Sequence, residues 1–210
     1  MITIAEIVVA DDPAAWAAAG FSVHDGMVCI GRVQVRLSGM NDGQRGVVSW
    51  HLRDAIVPGD GAIDGLVTEA SEATECEPAA HANGANLIDH IVIATPHYAR
   101  TVSALGAAGF DLRRERDSGS AHAPRRQGFC RAGEVIVEIV GPAGGAPSAD
   151  NAEPARFFGL AFVVDDLDAT KAFCGDLLSP PKPAVQPGRR IATLHHRDAG
   201  LTTAIAFMTP

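Results

Sequence analysis

A segment that runs strand, helix and further strands occurs twice in the C-terminal part of the chain, and this repetition constrains the fold more than any other feature. "HIVIAT" alternates β-branched and small residues, as strands do, and Thr95 with Pro96 then predicts an N-cap and a proline in the first helical turn. "RQGFCRAG" and "EVIVEIVGP" predict a hairpin that turns at Ala132 and Gly133. The same order returns in "GLAFVVDDLDATKAFCGDLL" and "GRRIATLHHRDAGLTTAIAFMTP".

Two separate alignments give nearly the same spacing between the copies. Aligning "DHIVIAT" with "FGLAFVV" places His90 opposite Gly159, 69 residues later, and aligning "VEIVGP" with "IAFMTP" places Glu138 opposite Ala206, 68 residues later. Because chance similarity rarely gives two matching offsets, the sequence predicts βαβββ units in tandem.

A weaker third copy stands at the start of the chain. "IAEIVVADDPAAWAAAGF" mirrors the segment around His90, which puts Glu6 at the His90 position and Arg36 at the Glu138 position. "GVVSWHLRD" then predicts an extra strand, and the acidic, glycine-rich stretch after it predicts a linker with at most one short helix. The predicted organisation is a degenerate module plus strand (1–54), a linker (55–85) and a two-module domain (86–210, with modules 86–142 and 155–210).

Composition excludes several classes of partner. The net charge of −8 argues against nucleic acid or an anionic membrane surface as a partner, and no stretch is long enough to span a membrane. "MITIAEIVVADDP" lacks the basic region of a signal peptide, so we expect none. The four cysteines are scattered without a CxxC pair, which predicts reduced thiols in a cytoplasmic protein: Cys29, Cys76, Cys130 and Cys174.

The repeated motifs resemble those of a known family. "LIDHIVIAT" and "VIVEIVGP" in the middle copy, with "GLAFVVDDLDAT" and "AIAFMTP" in the last, are similar to the vicinal oxygen chelate superfamily, which includes glyoxalases, bleomycin-resistance proteins and extradiol dioxygenases. The resemblance implies an α+β fold in which tandem βαβββ modules form a half-open mixed β-barrel, with an additional degenerate N-terminal module.

The same resemblance implies a metal site that is incomplete in this chain. His90 and Glu138 match two ligand positions, and their imidazole and carboxylate suit a divalent cation such as zinc, iron, manganese, nickel or magnesium. Gly159 and Ala206 occupy the other two positions and cannot coordinate a metal. A third ligand would have to come from elsewhere: His195, His196, Glu6 or a second subunit. The alternative, that His90 and Glu138 form a buried pair without metal, stays open.

The residues around the implied site suit a small-molecule cleft. Small side chains at Gly159 and Ala206 leave volume for a ligand, or let the sheet and helices pack closely. Arg131, on the strand beside Glu138, would hold a carboxylate or phosphate, or would simply balance an acidic surface, and His196 is a further ligand-binding candidate. Arginine pairs open the two equivalent hairpins: Arg125-Arg126 and Arg189-Arg190.

Two functions follow from these residues. The first is a protein that binds a small, partly apolar molecule in the cleft, with His90 and Glu138 orienting its polar group. The second is a divalent-metal-dependent lyase, isomerase, epimerase or dioxygenase, in which Glu138 is both a metal ligand and catalytic. A lone N-terminal unit would have an unpaired sheet edge, so we also expect a homodimer.

Overall fold

The described residues, 1–40, 43–143 and 153–210, form two mixed β-sheets that share one hydrophobic core in this computed structural model. Among those residues, six strands make the first sheet, in the order β2-β3-β1-β4-β6-β5. Their bounds are β1 (Thr3–Val9), β2 (Met27–Ile30), β3 (Val33–Leu37), β4 (Val47–Arg53), β5 (Ala62–Ile63) and β6 (Leu66–Ala70).

The second sheet is built from the C-terminal repeat. Eight of the described strands form it, in the order β12-β13-β14-β11-β7-β10-β9-β8. They are β7 (Ala85–Ala94), β8 (Leu112–Ser120), β9 (Ala123–Ala132), β10 (Val135–Pro142), β11 (Arg156–Val164), β12 (Lys182–Pro183), β13 (Arg190–Thr193) and β14 (Ala204–Met208). The first strands of the two units, β7 and β11, pair antiparallel at its centre, so the sheet is the predicted half-open barrel.

The helices lie between strands of these units and begin at polar caps. They are α1 (Pro13–Ala18), α2 (Tyr98–Ala107) and α3 (Leu167–Cys174). Asp166 caps α3 by accepting hydrogen bonds from the backbone of Asp168 and Ala169. The prediction that Thr95 caps α2 is wrong by two residues. Thr95 Oγ1 accepts from the backbone of His97, the actual N-cap, so Thr95 forms a turn before the helix.

Aromatic side chains join the two sheets into one core. Trp16 of α1 and Phe21 pack against Phe162 of β11, with ring centroids 6.2 and 5.2 Å apart. Trp50 of β4 contacts Phe157 of β11 at 5.2 Å. Such buried rings contribute a large share of packing energy, at roughly 25 cal/mol per Å² of apolar surface removed from water. The two sheets therefore stabilise each other.

Alternate residues of the strands in the second sheet point into the core, and the residues between them lie on the other face, which carries the site. In β10, Val137 and Ile139 are buried, whereas Glu138 between them is half-buried. In β7, Ile91 is buried and His90 half-buried. We call the face that carries His90 and Glu138 the site face. The hydrophobic core packs against the opposite face of this sheet.

The strand registers reproduce the sequence alignment of the copies. In every copy the first strand pairs parallel with the last, and the equivalent residues are partners: His90 with Ile136 and Val92 with Glu138, Gly159 with Ala204 and Ala161 with Ala206, Glu6 with Gln34 and Val8 with Arg36. The offsets between copies that the sequence alignment gave therefore agree with the hydrogen-bonded pairing of the strands.

A β-bulge recurs at one position in each first strand. The β7–β11 register shifts at Asp89 and at Phe158, which immediately precede His90 and Gly159. The β1–β4 register shifts in the same way, one residue before Glu6 and one before Ser49. A bulge leaves one residue unpaired and brings consecutive side chains toward the same side of the sheet.

The first sheet contains a fourth copy that the sequence did not reveal. The extra strand predicted by "GVVSWHLRD" is β4, and it pairs parallel with β6, placing His51 opposite Glu69 as Ala161 stands opposite Ala206. Residues 55–85, expected to be a linker, thus include β5 and β6, and the linker prediction is wrong for residues 62–70. The residues that follow, 71–84, have neither helix nor strand. The boundaries of the domains stay predictions.

This fourth copy also removes the original reason for a homodimer. The sheet edge expected on the N-terminal unit is covered, because β1 lies between β3 and β4. The homodimer stays a prediction without that argument.

The cysteine prediction is wrong for one pair. Cys29 of β2 and Cys76 form a disulfide with their Cα atoms 6.1 Å apart, which ties residues 71–84 to the first sheet. Cys130 is buried and free, and Cys174 is half-buried and free. None of the described helices combines the length and apolar character needed to cross a bilayer.

Candidate functional site

His90 lies between two carboxylates on the site face. Its Nδ1 is 2.7 Å from Asp89 Oδ2, and its Nε2 is 3.6 Å from Glu138 Oε2. These side chains are between 8% and 16% exposed, so all three are shielded yet reachable. The bulge at Asp89 explains how neighbours along one strand make this bond, since a regular strand would turn them to opposite faces.

Asp89 fixes the proton of the imidazole. Burial alone would raise the pKa of Asp89, but hydrogen bonds from His90 and Arg189 outweigh burial and hold that pKa below its ordinary value. Arg189 Nη2 donates to Asp89 Oδ1 at 2.6 Å. An ionised carboxylate only accepts, so His90 Nδ1 carries the hydrogen of the 2.7 Å bond. Nε2 is then directed toward Glu138.

Glu138 ends a relay of polar side chains from the neighbouring strands. Gln127 Nε2 donates to Glu138 Oε1 at 2.6 Å, and Arg116 Nε donates to Gln127 Oε1 at 2.6 Å. The guanidinium of Arg116 also lies over the ring of Phe129, 5.3 Å from its centroid. These contacts fix the carboxylate while one of its oxygens stays beside His90.

The four predicted ligand positions share the site face, in two adjacent rows across the sheet. One row runs Glu138, Val92, Gly159 and Ala204, and the next runs Ile136, His90, Ala161 and Ala206. The structure thus brings the last two implied positions beside the first two, but only His90 and Glu138 offer ligand atoms. At Gly159 a side chain is excluded as well, because a Cβ there would clash with the carbonyl oxygen of Ala204.

The residues present do not fit a resident metal ion. Within the described part of the chain, no group of three or more His, Cys, Asp or Glu could hold one. Two protein ligands fall short of the three that catalytic zinc and iron sites use. Asp89, the nearest further carboxylate, is already engaged by His90 and Arg189.

Two other candidate residues lie apart from this centre. Arg131 stands opposite Ile136 in the β9–β10 register, but it is exposed and its Nη1 donates to the carbonyl of Glu134 in its own hairpin. His196 is in the turn after β13, and its ring makes no hydrogen bond to His90 or Glu138. Their ligand-binding roles stay predictions.

Sequence reasoning missed two members of the site, Gln127 and Asp89, and named Arg189 only as one of the arginines that open the hairpins. Gln127 comes from another strand and Arg189 from a loop, and no local pattern connects either of them to His90. Asp89 had a signal, since it stands next to His90 in the sequence, but strand alternation placed it on the opposite face. Only the bulge reverses that assignment.

A cavity of about 850 Å³ opens at one end of the site face. Ala94 and Val140 line it, and they continue the rows of Val92 and Glu138 along the same two strands. Its other walls carry prolines and small residues with two arginines, Arg125 and Arg156. His90 and Glu138 do not line it, so the polar centre and the cavity are neighbouring parts of one face.

The first sheet carries a different polar set at the equivalent positions. Arg36 Nε donates to Glu6 Oε1 at 2.8 Å, where the second sheet has His90 and Glu138. His51 lies 3.7 Å from Glu6 and 3.6 Å from Glu69. Glu6 thus pairs with Arg36 in its own sheet and is not a third ligand for the His90 site.

No protein-family model and no curated protein matches the sequence. Among solved structures, 4-hydroxymandelate synthase from Streptomyces coelicolor (a triple mutant) is 12% identical with a TM-score of 0.64, over 99% of this chain and 92% of that one. A fusion of a xylose isomerase-like TIM barrel with 4-hydroxyphenylpyruvate dioxygenase is 12% identical with a TM-score of 0.58, over 99% of this chain and 48% of that one. Methylmalonyl-CoA epimerase from Mycobacterium tuberculosis is 19% identical, over 60% of this chain and 89% of that one, with a TM-score of 0.44.

The repeat, the registers and the likeness to the synthase define the fold. The chain has the vicinal oxygen chelate fold, which confirms the α+β prediction of tandem βαβββ modules in a half-open barrel. Known structures with this fold include enzymes such as a synthase and a dioxygenase.

Proposed function

We propose that the protein binds a small, partly apolar molecule on the site face without a resident metal, and that His90 and Glu138 orient its polar group. The observation that carries this proposal is the fixed position of His90 Nε2, 3.6 Å from Glu138 and too far for a hydrogen bond with it. A hydroxyl of the ligand would supply that missing partner by donating to Nε2. The small side chain of Ala206, in the same row as His90, leaves room for its apolar part.

A thermal-shift screen tests this proposal, since a molecule that binds only the native state raises the melting temperature. Phenols and other hydroxylated aromatics are the probes, against wild type, His90→Ala and Glu138→Gln. We expect shifts with wild type that decrease or vanish in both variants. Replacement of exposed His122 by Ala is the control and keeps the shifts. Equal shifts in wild type and the two site variants would contradict the proposal.

One observation favours a metal-dependent lyase, isomerase, epimerase or dioxygenase as the alternative. A histidine that binds a metal usually donates its other ring N–H to a carboxylate, and His90 does so to Asp89. The missing third ligand argues against it. Mass spectrometry of the protein purified without chelators separates the two functions. One equivalent of zinc, iron, manganese or nickel, lost in both His90→Ala and Glu138→Ala, would support the alternative and exclude the proposal.

A further inference from the structure

Two arginines at equivalent positions of the two C-terminal units have different surroundings. Thr193 pairs with Ala206 as Phe129 pairs with Glu138, so Arg189, four residues before Thr193, corresponds to Arg125, four residues before Phe129. Arg189 is 17% exposed and donates to Asp89 Oδ1 at 2.6 Å. Arg125 is exposed, and its side chain makes no hydrogen bond or ion pair with any described residue.

The difference arises at the bulges. Asp89, which binds Arg189, is the bulge residue of β7, and the equivalent bulge residue of β11 is Phe158. Because β7 and β11 are related by approximate twofold symmetry, with Ile91 opposite Leu160 at its centre, Arg125 should have its carboxylate at position 158. A phenylalanine stands there, 56% exposed. One half of the sheet therefore has its arginine paired with a carboxylate, and the other half has the arginine alone.

The unpaired arginine lines the cavity of about 850 Å³ at the end of the site face. Arg156 lines it too, and its side chain also makes no hydrogen bond or ion pair with a described residue. Glu153 is the one acid among the described lining residues, so two arginines and one glutamate leave a charge of +1 in a protein whose net charge is −8. Such a local reversal of sign attracts an anion.

We propose that this cavity binds the carboxylate group of a small monocarboxylate, with Arg125 holding that group as Arg189 holds Asp89. The planar guanidinium offers paired donors that match both oxygens of a carboxylate. Prolines and small apolar residues on the remaining walls suit an apolar or aromatic body: Ala94, Pro96, Pro124, Val140, Pro142 and Pro154. This inference rests on the proposed function and specifies its ligand class.

The test compares probes that differ only in their head group. Phenylacetate, phenylacetamide and inorganic phosphate are titrated into the 15N-labelled protein, and the side-chain Nε–Hε signals of the arginines are followed. Phenylacetate is expected to shift the Arg125 signal at millimolar concentration, roughly tenfold more tightly than phenylacetamide. A phosphate response equal to that of phenylacetate would show a general anion site and overturn the carboxylate assignment.

Two variants test the symmetry argument. Arg125→Gln removes the guanidinium, and we expect phenylacetate affinity to fall by about tenfold or more. Phe158→Asp places a carboxylate at the position equivalent to Asp89. This carboxylate should pair with Arg125 and so weaken phenylacetate binding to a similar extent. Phe158→Ala is its matched control and keeps the affinity. Arg126→Gln is the second control, because Arg126 pairs with Asp117. Far-UV circular dichroism confirms that each variant is folded.

The outcomes separate this inference from the proposed function. Unchanged affinity in Arg125→Gln, or no response of the Arg125 signal to phenylacetate, would overturn the carboxylate subsite even if His90→Ala abolishes ligand binding. If Arg125→Gln loses binding while His90→Ala and Glu138→Gln keep it, the subsite stands and the orienting role of His90 and Glu138 fails.

Discussion

Asp89 Oδ2 accepts a 2.7 Å hydrogen bond from His90 Nδ1, although the two residues are adjacent in one strand. The bulge in β7 makes this contact geometrically accessible, and Arg189 holds the carboxylate from the other side. The same bulge occurs in the first strand of every copy, so the backbone geometry is a property of the fold. The acid and the imidazole that use it are particular to this copy.

Replacing Asp89 tests this relationship directly. Asp89→Ala removes both bonds to a mostly buried carboxylate, and we expect the free energy of unfolding to fall by about 1–3 kcal/mol. Nitrogen NMR of the His90 ring should show Nδ1 protonated in wild type and a shift toward the Nε2-protonated form in the variant. Asp117→Asn, at an exposed ion pair, serves as the control and changes neither. A His90 tautomer that is the same in Asp89→Ala would contradict the assignment.

The stability of the protein should fall steeply in acid. Burial would raise the pKa of Asp11, but hydrogen bonds from Thr202, Thr203 and Trp16 hold it below the ordinary value of 3.8, and the pKa of Asp89 is also lowered. A carboxylate with a lowered native pKa stabilises the fold at pH above its ordinary value, and this contribution is lost as pH falls through the native pKa. Urea unfolding measured between pH 7 and pH 3 checks the fall.

Asp11→Asn provides the matched variant for the acid effect. Asp11 is fully buried and joins the first sheet to the loop before β14, accepting from the backbone of Thr202 at 2.7 Å and from Trp16 Nε1 at 3.1 Å. The NH₂ group of the asparagine would face these donors and could not accept from them. We expect the free energy of unfolding to fall by roughly 2–4 kcal/mol near neutral pH. Below pH 5, the stability of Asp11→Asn should depend less on pH than the stability of wild type does. Equal pH dependence would show that Asp11 does not cause the acid effect.

The disulfide predicts a defined thiol count. Without reductant, the unfolded protein should react with iodoacetamide at two cysteines, Cys130 and Cys174, and after reduction at four. Cys29→Ser should lower the free energy of unfolding by about 2–4 kcal/mol, because the link closes a long loop of the unfolded chain. Four reactive thiols before reduction would show that Cys29 and Cys76 are not joined.

In the native state Cys130 should resist alkylation. Burial and the nearby charge of Asp111 raise the pKa of its thiol to about 11, so the reactive thiolate is scarce at neutral pH. Cys174 is half-buried and should react first. Peptide mapping after brief alkylation of the native protein gives the order, and faster labelling of Cys130 would contradict it.

Two glycine-to-alanine changes should have opposite effects. Gly159→Ala places a Cβ against the carbonyl of Ala204, and we expect destabilisation by about 1–3 kcal/mol. Gly106 in α2 has open space where its Cβ would lie, so Gly106→Ala should stabilise the protein by about 0.5–1 kcal/mol through helix propensity. Chemical denaturation measures both. A neutral Gly159→Ala would mean that the sheet yields there and that position 159 is open to a side chain.

Local patterns in the sequence were enough to predict the repeated unit. Alternation in "HIVIAT" and the turn at Ala132 and Gly133 each depend on neighbours within a few residues, and both hold in the structure. The spacing between copies also transferred directly to strand registers, because a repeated segment forms the same hydrogen-bond ladder each time it occurs. His90 and Glu138 were brought together only by the resemblance to the vicinal oxygen chelate superfamily, which implied that they match two ligand positions.

The remaining features depend on residues that are distant in the chain. The fourth copy lacks a helix between β4 and β5, so its strands are recognisable only by their pairing in the first sheet. The disulfide joins residues 47 positions apart, and no local spacing indicates it.

The sequence by itself determined the unit and its repetition, since these follow from periodicity and turn residues within each segment and from the spacing between the copies. Tertiary structure alone decided that Asp89 turns toward His90, that Arg189 is paired and that Arg125 is not. A bulge shifts a side chain from one face to the other through the hydrogen-bond register between strands, and that register exists only once β7 and β11 have come together.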